Sequence, residues 1–369
     1  MYILLRLPLV VVGVALVAGA ILSAIRVFVL PRGARDRQAR TLLLVLRLVF
    51  DFVAGRRETF EGRDRVMALY APIGLLGLLV SWLTLVLVGF TGIFWAVDEG
   101  PPRQALIHSG SALFTLGFAD ISHLHVAIIS FVEAAIGLIL IALLIAYLPT
   151  MYTAFSSREQ YVTMLAVRAG SPPSAAEMIA RYHRLGRFDK LNEFWAMWEQ
   201  WFANLEETHT SLAILAFFRS PQAQHSWVTA AGAVLDSASL INAALDIPHD
   251  PQADLTIRAG FLALRTIASY FQLAFNHEPR ADDPISIARA EFDEVLDALA
   301  AAGVPLKPDR EQAWRDFAGW RVNYDGALLA LAALTMAPYA SWSSDRGLAY
   351  RHPYRRWGRR TASLGAPPS

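Results

Sequence analysis

Cysteine is absent from the 369 residues, so neither a disulfide nor a thiolate-held metal is available to this chain. Charge is scarce too. Asp, Glu, Lys and Arg make up 18% of the residues, below the roughly 25% of soluble domains. The net charge of +1 points to no class of partner, although its distribution along the chain is informative. Runs alternating with period two are missing, so no sheet is expected. No acid, base, nucleophile or metal set converges in the sequence, and we expect no enzyme and no cofactor. What the chain has in quantity is apolar side chains, at 55%. Its length and composition suit a membrane part followed by one separate domain.

Residues 5–30 form an apolar run broken by Arg6, Pro8 and Arg26. A signal peptide has an apolar core of about 7–15 residues. This run is longer, and Arg32, Arg35, Arg37 and Arg40 follow it, so a retained transmembrane helix within 1–30 is expected. Residues 41–54 are apolar but too short to span, and Arg47 and Asp51 interrupt them. They fit either a helix along the inner membrane interface or a connecting helix packed on a bundle. Residues 66–97 and 126–147 are each long enough to cross a hydrocarbon core, which takes about 20 helical residues. Arginine excess marks the cytoplasmic side. Arginines recur from Arg32 to Arg65, whereas Arg103 stands beside Asp98 and Glu99 between the second span and residue 115. The N-terminus is therefore expected outside a cell (inner) membrane, with 31–65 and everything after residue 155 in the cytoplasm.

Between the two longer runs lies a segment too short and too polar to cross as well. Residues 104–114 have a helical phase, and Thr115-Leu116-Gly117-Phe118-Ala119-Asp120 follow. Irregular backbone at membrane depth is tolerated where protein buries it or it lines a water-filled path. The six residues resemble the selectivity filter TVGYGD of the two-transmembrane pore-loop potassium channels. The resemblance covers residues 66–159, about a quarter of the chain.

That resemblance implies a fold and a function. The fold would be an all-α membrane protein: a pore-loop channel domain with an extra N-terminal transmembrane helix, then an all-α cytoplasmic domain. The boundaries would be a helix in 1–30, a basic linker with the interfacial helix in 31–65, and the pore in 66–155. A helical cytoplasmic domain in 156–340 and a basic tail in 341–369 would complete it. In the filter, Thr115 would supply a hydroxyl and a carbonyl at the inner end, Leu116, Gly117 and Phe118 carbonyls above it, and Asp120 a brace at the outer mouth. Carbonyl rings of this kind replace an ion's hydration shell. One chain carries one such loop, so a homotetramer conducting potassium is implied. Ala119 departs from the pattern, which has glycine there, because a left-handed backbone costs an L-residue about 1–2 kcal/mol. Inner sites built by Thr115 to Gly117 are expected intact and the outermost distorted, with weakened preference for potassium over sodium. Phe118 lacks the hydroxyl with which tyrosine would tie the filter to its surround.

The third span holds three candidates for gating. Gly137, near its middle, is either a bending point or a place where two helices approach closely. Pro149 could kink the inner end. Glu133 is an intramembrane carboxylate, and such groups face protein or water. It is expected to hydrogen-bond behind the filter or sense protons, or else to lie near the outer interface. His108, His123 and His125 cluster on the outer side by sequence.

Beyond residue 155 the pattern is that of amphipathic helices, with a break at Ser171-Pro172-Pro173-Ser174. Helices are expected over 191–205, 208–218, 222–245, 253–275, 284–302 and 310–336. Glu206 and His209 form a single Glu-x-x-His, which a di-metal bundle needs twice, so no metal beyond the permeant ion is expected. Trp195, Trp198 and Trp201 fall at helical spacing and read as core or interface. The tail from Arg346 to Arg360 interleaves arginine with aromatics. It fits membrane lipids with anionic headgroups or a solvated tail; no nucleic-acid motif accompanies it. A rival to the channel is a membrane-anchored helical sensor or scaffold whose pore-like region is non-conducting or non-selective.

Overall fold

The computed structural model describes residues 2–30, 36–97, 100–120 and 123–346. Expectations placed on Arg32, Arg35, Asp98, Glu99 and the tail from residue 347 onward lie outside the described residues. Among those described, the chain is all-helical, and one isolated bridge, Leu245 with Leu306, stands in place of any strand. Three helices are long and apolar enough to cross a membrane: Arg6–Phe28, Phe60–Val97 and Leu124–Ala169. The chain divides into two compact units, Met1–Phe155 with Ser211–Phe218, and Ser156–Thr210 with Arg219–Ser369.

The first unit is built on α1 (Tyr2–Phe28) and α4 (Tyr70–Val97). They touch at two glycines. A Cβ on Gly13 would stand 2.5 Å from the Gly89 carbonyl oxygen, and one on Gly89 2.8 Å from that of Gly13. Small residues let membrane helices approach closely, where packing rather than hydrophobicity drives association. Val17, Ala20 and Ala24 of α1 are buried with Leu78, Trp82, Val86 and Phe90 of α4. A polar relay fixes the register of this pair. The Trp82 indole N–H donates to Ser23 Oγ (2.9 Å), and Ser23 donates to Asp36 Oδ1 (2.7 Å). Asp36 also accepts from Ala39 N and so caps α2 (Arg37–Gly55), satisfying a donor that a helix start leaves free.

Helix α2 is amphipathic in an inverted sense. Val45, Leu48, Val49 and Phe52 point outward, while Arg47 is buried. Arg47 pairs with Asp51 at 2.8 Å and faces the rings of Tyr70 and Phe217 at 5.5 and 5.9 Å. Arg47 therefore forms an inward anchor rather than a polar interruption. The helix α3 (Phe60–Ala68), capped by Thr59, leads into α4. Residues 208–218, expected as a separate helix, are not one. The helix α8 (Leu191–Ser211) ends there and a 3₁₀ turn covers Ala213–Phe217, whose Ile214 and Leu215 are buried with Ala71 and Leu75 of the first unit.

The second unit holds α7 (Ala175–Arg184), α8 (Leu191–Ser211), α9 (Trp227–Ala244), α10 (Pro251–Tyr270), α11 (Arg289–Ala301), α12 (Arg310–Arg321) and α13 (Asp325–Thr335). In α9 every residue except Asn242 is buried, and α7, α10, α12 and α13 pack against it. Arg321, fully buried, bonds Asp236 of α9 at 2.5 Å and Asp325 at 2.8 Å. Both carboxylates are thus paired, as buried charges must be. The expected helix 310–336 is two helices, because Asn323 and Tyr324 turn the chain between them. Trp195, Trp198 and Trp201 are core residues of α8. Arg346, expected in a basic tail, instead pairs with Glu291 at 2.5 Å.

Candidate functional site

The segment singled out by the filter-like motif begins on α5 (Pro102–Leu113), which starts with Pro102 at its first position, where the missing N–H costs nothing. Its buried face, Ala105, His108, Ser109 and Leu113, meets α4. His108 is buried edge-on against Phe94, with ring centroids 6.1 Å apart. It does not join His123 and His125, which stack on each other at 5.4 Å and are exposed.

After Leu113 the backbone leaves the helix. Thr115 N bonds Ala112 O at 3.0 Å and Leu116 N bonds Ser111 O at 2.8 Å. Left-handed angles fall on Thr115 (φ 54°) and Gly117 (φ 71°). Gly117 takes its angle freely; Thr115, β-branched, does so at a cost of about 1–2 kcal/mol. The angle expected to trouble Ala119 is absent, since Ala119 is not among the residues with positive φ. The Thr115 hydroxyl is bonded to the Phe114 carbonyl at 2.8 Å. Leu116 and Phe118 are exposed.

Two further amides turn back toward the helix. Phe118 N and Ala119 N each donate to the Ser111 hydroxyl oxygen at 3.2 Å. In a planar trans peptide the carbonyl points opposite to the N–H it shares a plane with. The amides of Leu116, Phe118 and Ala119 all aim at Ser111. The carbonyls of Thr115, Gly117 and Phe118 are therefore directed to the other side. Ser111 itself is 4% exposed. It passed unnoticed in the sequence, where a serine at the end of a short helix carries no signal of its own. Residues 116–119 leave the helix and their N–H groups need acceptors, but the sequence does not say which residue supplies one.

Behind the loop, α5 meets α6 (Leu124–Ala169). Glu133 of α6 is fully buried. Its Oε1 is 2.6 Å from Ser109 Oγ, which also lies 3.1 Å from the Leu87 carbonyl of α4. Three helices thus converge on one serine. Gly137, one turn further on, is a close-approach position. A Cβ there would stand 2.5 Å from the Leu113 carbonyl oxygen and 2.9 Å from Leu113 Cδ1. The α6 helix is continuous through Gly137 and through Pro149, which is exposed. Asp120 is exposed as well.

Along α6 the residues buried in the first unit are Val126, Ser130, Glu133, Gly137, Leu140, Leu144, Tyr147 and Met151. The rest of the surface from residue 124 to 153 leaves Ile128, Phe131, Leu138, Ile145 and Tyr152 outward.

Elsewhere, His209 is fully buried. Its Nδ1–H donates to the Leu205 carbonyl at 2.9 Å, and its Nε2 lies 3.3 Å from Arg158 Nη1. Both ring nitrogens are engaged, so the Glu206/His209 pair is not poised as a metal ligand set. Burial, and then the Arg158 charge, hold its pKa well below the usual histidine value. Comparison with family models, curated proteins and solved structures finds no match.

Proposed function

We propose that the chain is one subunit of a homotetrameric cation channel that conducts potassium, with Thr115 to Asp120 as its filter. The observation that carries the proposal is the loop after α5. It follows a 12-residue helix and lies between two helices apolar enough to cross a membrane. Its carbonyls at Thr115, Gly117 and Phe118 are turned to one side, away from the helix that holds it. Backbone carbonyl oxygens facing away from the protein are the groups that can replace a cation's hydration shell. A single loop offers such an ion a fraction of a shell, and four loops around an axis close it. In this arrangement α4 is the outer helix, α5 the pore helix and α6 the inner helix. The outward apolar surface of α6 supplies both subunit contacts and lipid contacts. The arginine-rich segment 31–65 and the second unit would be cytoplasmic, by arginine excess.

Purified protein in planar lipid bilayers, recorded first in potassium and then in sodium, tests this. Potassium-selective unitary currents are expected, from particles with the mass of four chains. Silent bilayers from folded protein would overturn the proposal in favour of a membrane-anchored helical sensor or scaffold.

A further inference from the structure

Resting on the channel reading, we infer that Ser111 is a specificity-determining positioning residue: its hydroxyl holds the outer half of the filter in its conducting conformation. Ser111 stands at the last full turn of α5, nearly excluded from solvent. Its oxygen accepts from Phe118 N and Ala119 N, both at 3.2 Å. Successive amides of an extended strand point to opposite sides, so two of them reaching one oxygen require a bent backbone. The bend directs the carbonyls of Gly117 and Phe118 away from Ser111.

Other restraints on this stretch are weak. The Phe118 side chain is exposed and has no hydroxyl to anchor it. Leu116 is tied lower down, through its amide to the Ser111 carbonyl at 2.8 Å. The Ser111 backbone therefore holds the inner half of the loop and its side chain the outer half. Without the hydroxyl, the peptides joining Gly117 to Phe118 and Phe118 to Ala119 lose their acceptor. A rotation of either removes one carbonyl from the row and leaves an N–H facing the ion. Sodium and potassium would then meet an incomplete shell, and discrimination between them would fall.

The experiment compares the wild type, Ser111→Ala, Ser111→Cys and Ser111→Thr in bilayers under bi-ionic potassium and sodium. Thermal melts and particle mass in detergent are measured alongside. Ser111→Ala is expected to lower the potassium-to-sodium permeability ratio about tenfold with the oligomer unchanged. Ser111→Thr, which keeps the hydroxyl, is expected to retain the wild-type ratio. Ser111→Cys keeps the volume with a weak acceptor and is expected to behave as alanine does. It carries the test if the alanine variant does not assemble. A selective wild type whose alanine and cysteine variants keep its ratio would overturn this inference alone. A wild type with no selective current would overturn the channel reading and this inference with it.

Discussion

Gly137→Ala is the substitution that separates bending from packing on α6. The added methyl would lie 2.5 Å from the Leu113 carbonyl oxygen, and ordinary contact begins at 3.4 Å. The helices must therefore part by about 0.9 Å along that line, since the atom met is backbone and has no rotamer to escape into. Overpacking of this kind costs about 1–3 kcal/mol, and replacing a mid-helix glycine by alanine returns about 1 kcal/mol. The net loss of stability is about 0–2 kcal/mol per chain, small enough for the protein to fold. The displacement matters more than the energy. Leu113 ends α5 and lies two residues before Thr115, so the shift is delivered to the start of the candidate filter. Bilayer recordings should show an altered unitary conductance and permeability ratio. Were Gly137 a bending point, alanine would change open probability and leave conductance and ratio as they were. That second pattern would refute the packing reasoning.

Ala119→Gly should sharpen discrimination of potassium over sodium, read as reversal potentials, because glycine admits the left-handed angle that Ala119 does not adopt; unchanged selectivity and gating would count against it. Gly89→Ala places a methyl 2.8 Å from the Gly13 carbonyl oxygen and 2.8 Å from Val17 Cγ2. It should lower the first unit's stability by about 1–3 kcal/mol, measured by thermal melts in detergent, with Gly13→Ala falling short of additivity because the two share one contact. Acid should weaken the second unit through His209. Its folded pKa is depressed by burial and by Arg158, so the unfolded chain binds the proton first. Stability is then full above about pH 6.5, the ordinary histidine value, and falls below it by up to about 1.4 kcal/mol per pH unit. Tryptophan fluorescence in denaturant at pH 7.5 and 5.5 reads this, and a His209→Gln variant should lose that slope.

The three long apolar helices were legible because nothing but length and hydropathy is needed to see them. So was the tryptophan stripe, whose spacing places Trp195, Trp198 and Trp201 on one helix. Helix ends in the second unit were less so. The break between α12 and α13 depends on Tyr324 reaching Asp236 and Ser239 of another helix, a contact more than eighty residues away in sequence. Arg47 read as an interruption because its partners, Tyr70 and Phe217, are distant along the chain. In the candidate site, the residue types of the loop were visible and their restraints were not. Ser109 bonds Glu133 across 24 positions and Ser111 bonds the loop across seven and eight. Such pairs exist once the chain has folded back on itself, and no local pattern announces them.

The buried stripe on α6 has a further consequence. From Val126 to Met151 its steps alternate four and three residues, a repeat of seven. An ideal straight helix slips about 20° against that repeat at every heptad. A left-handed wind of α6 would hold such a stripe on one side along its length. The stripe covers 26 residues, about three and a half heptads, so on a straight helix it would drift by about 70° between Val126 and Met151.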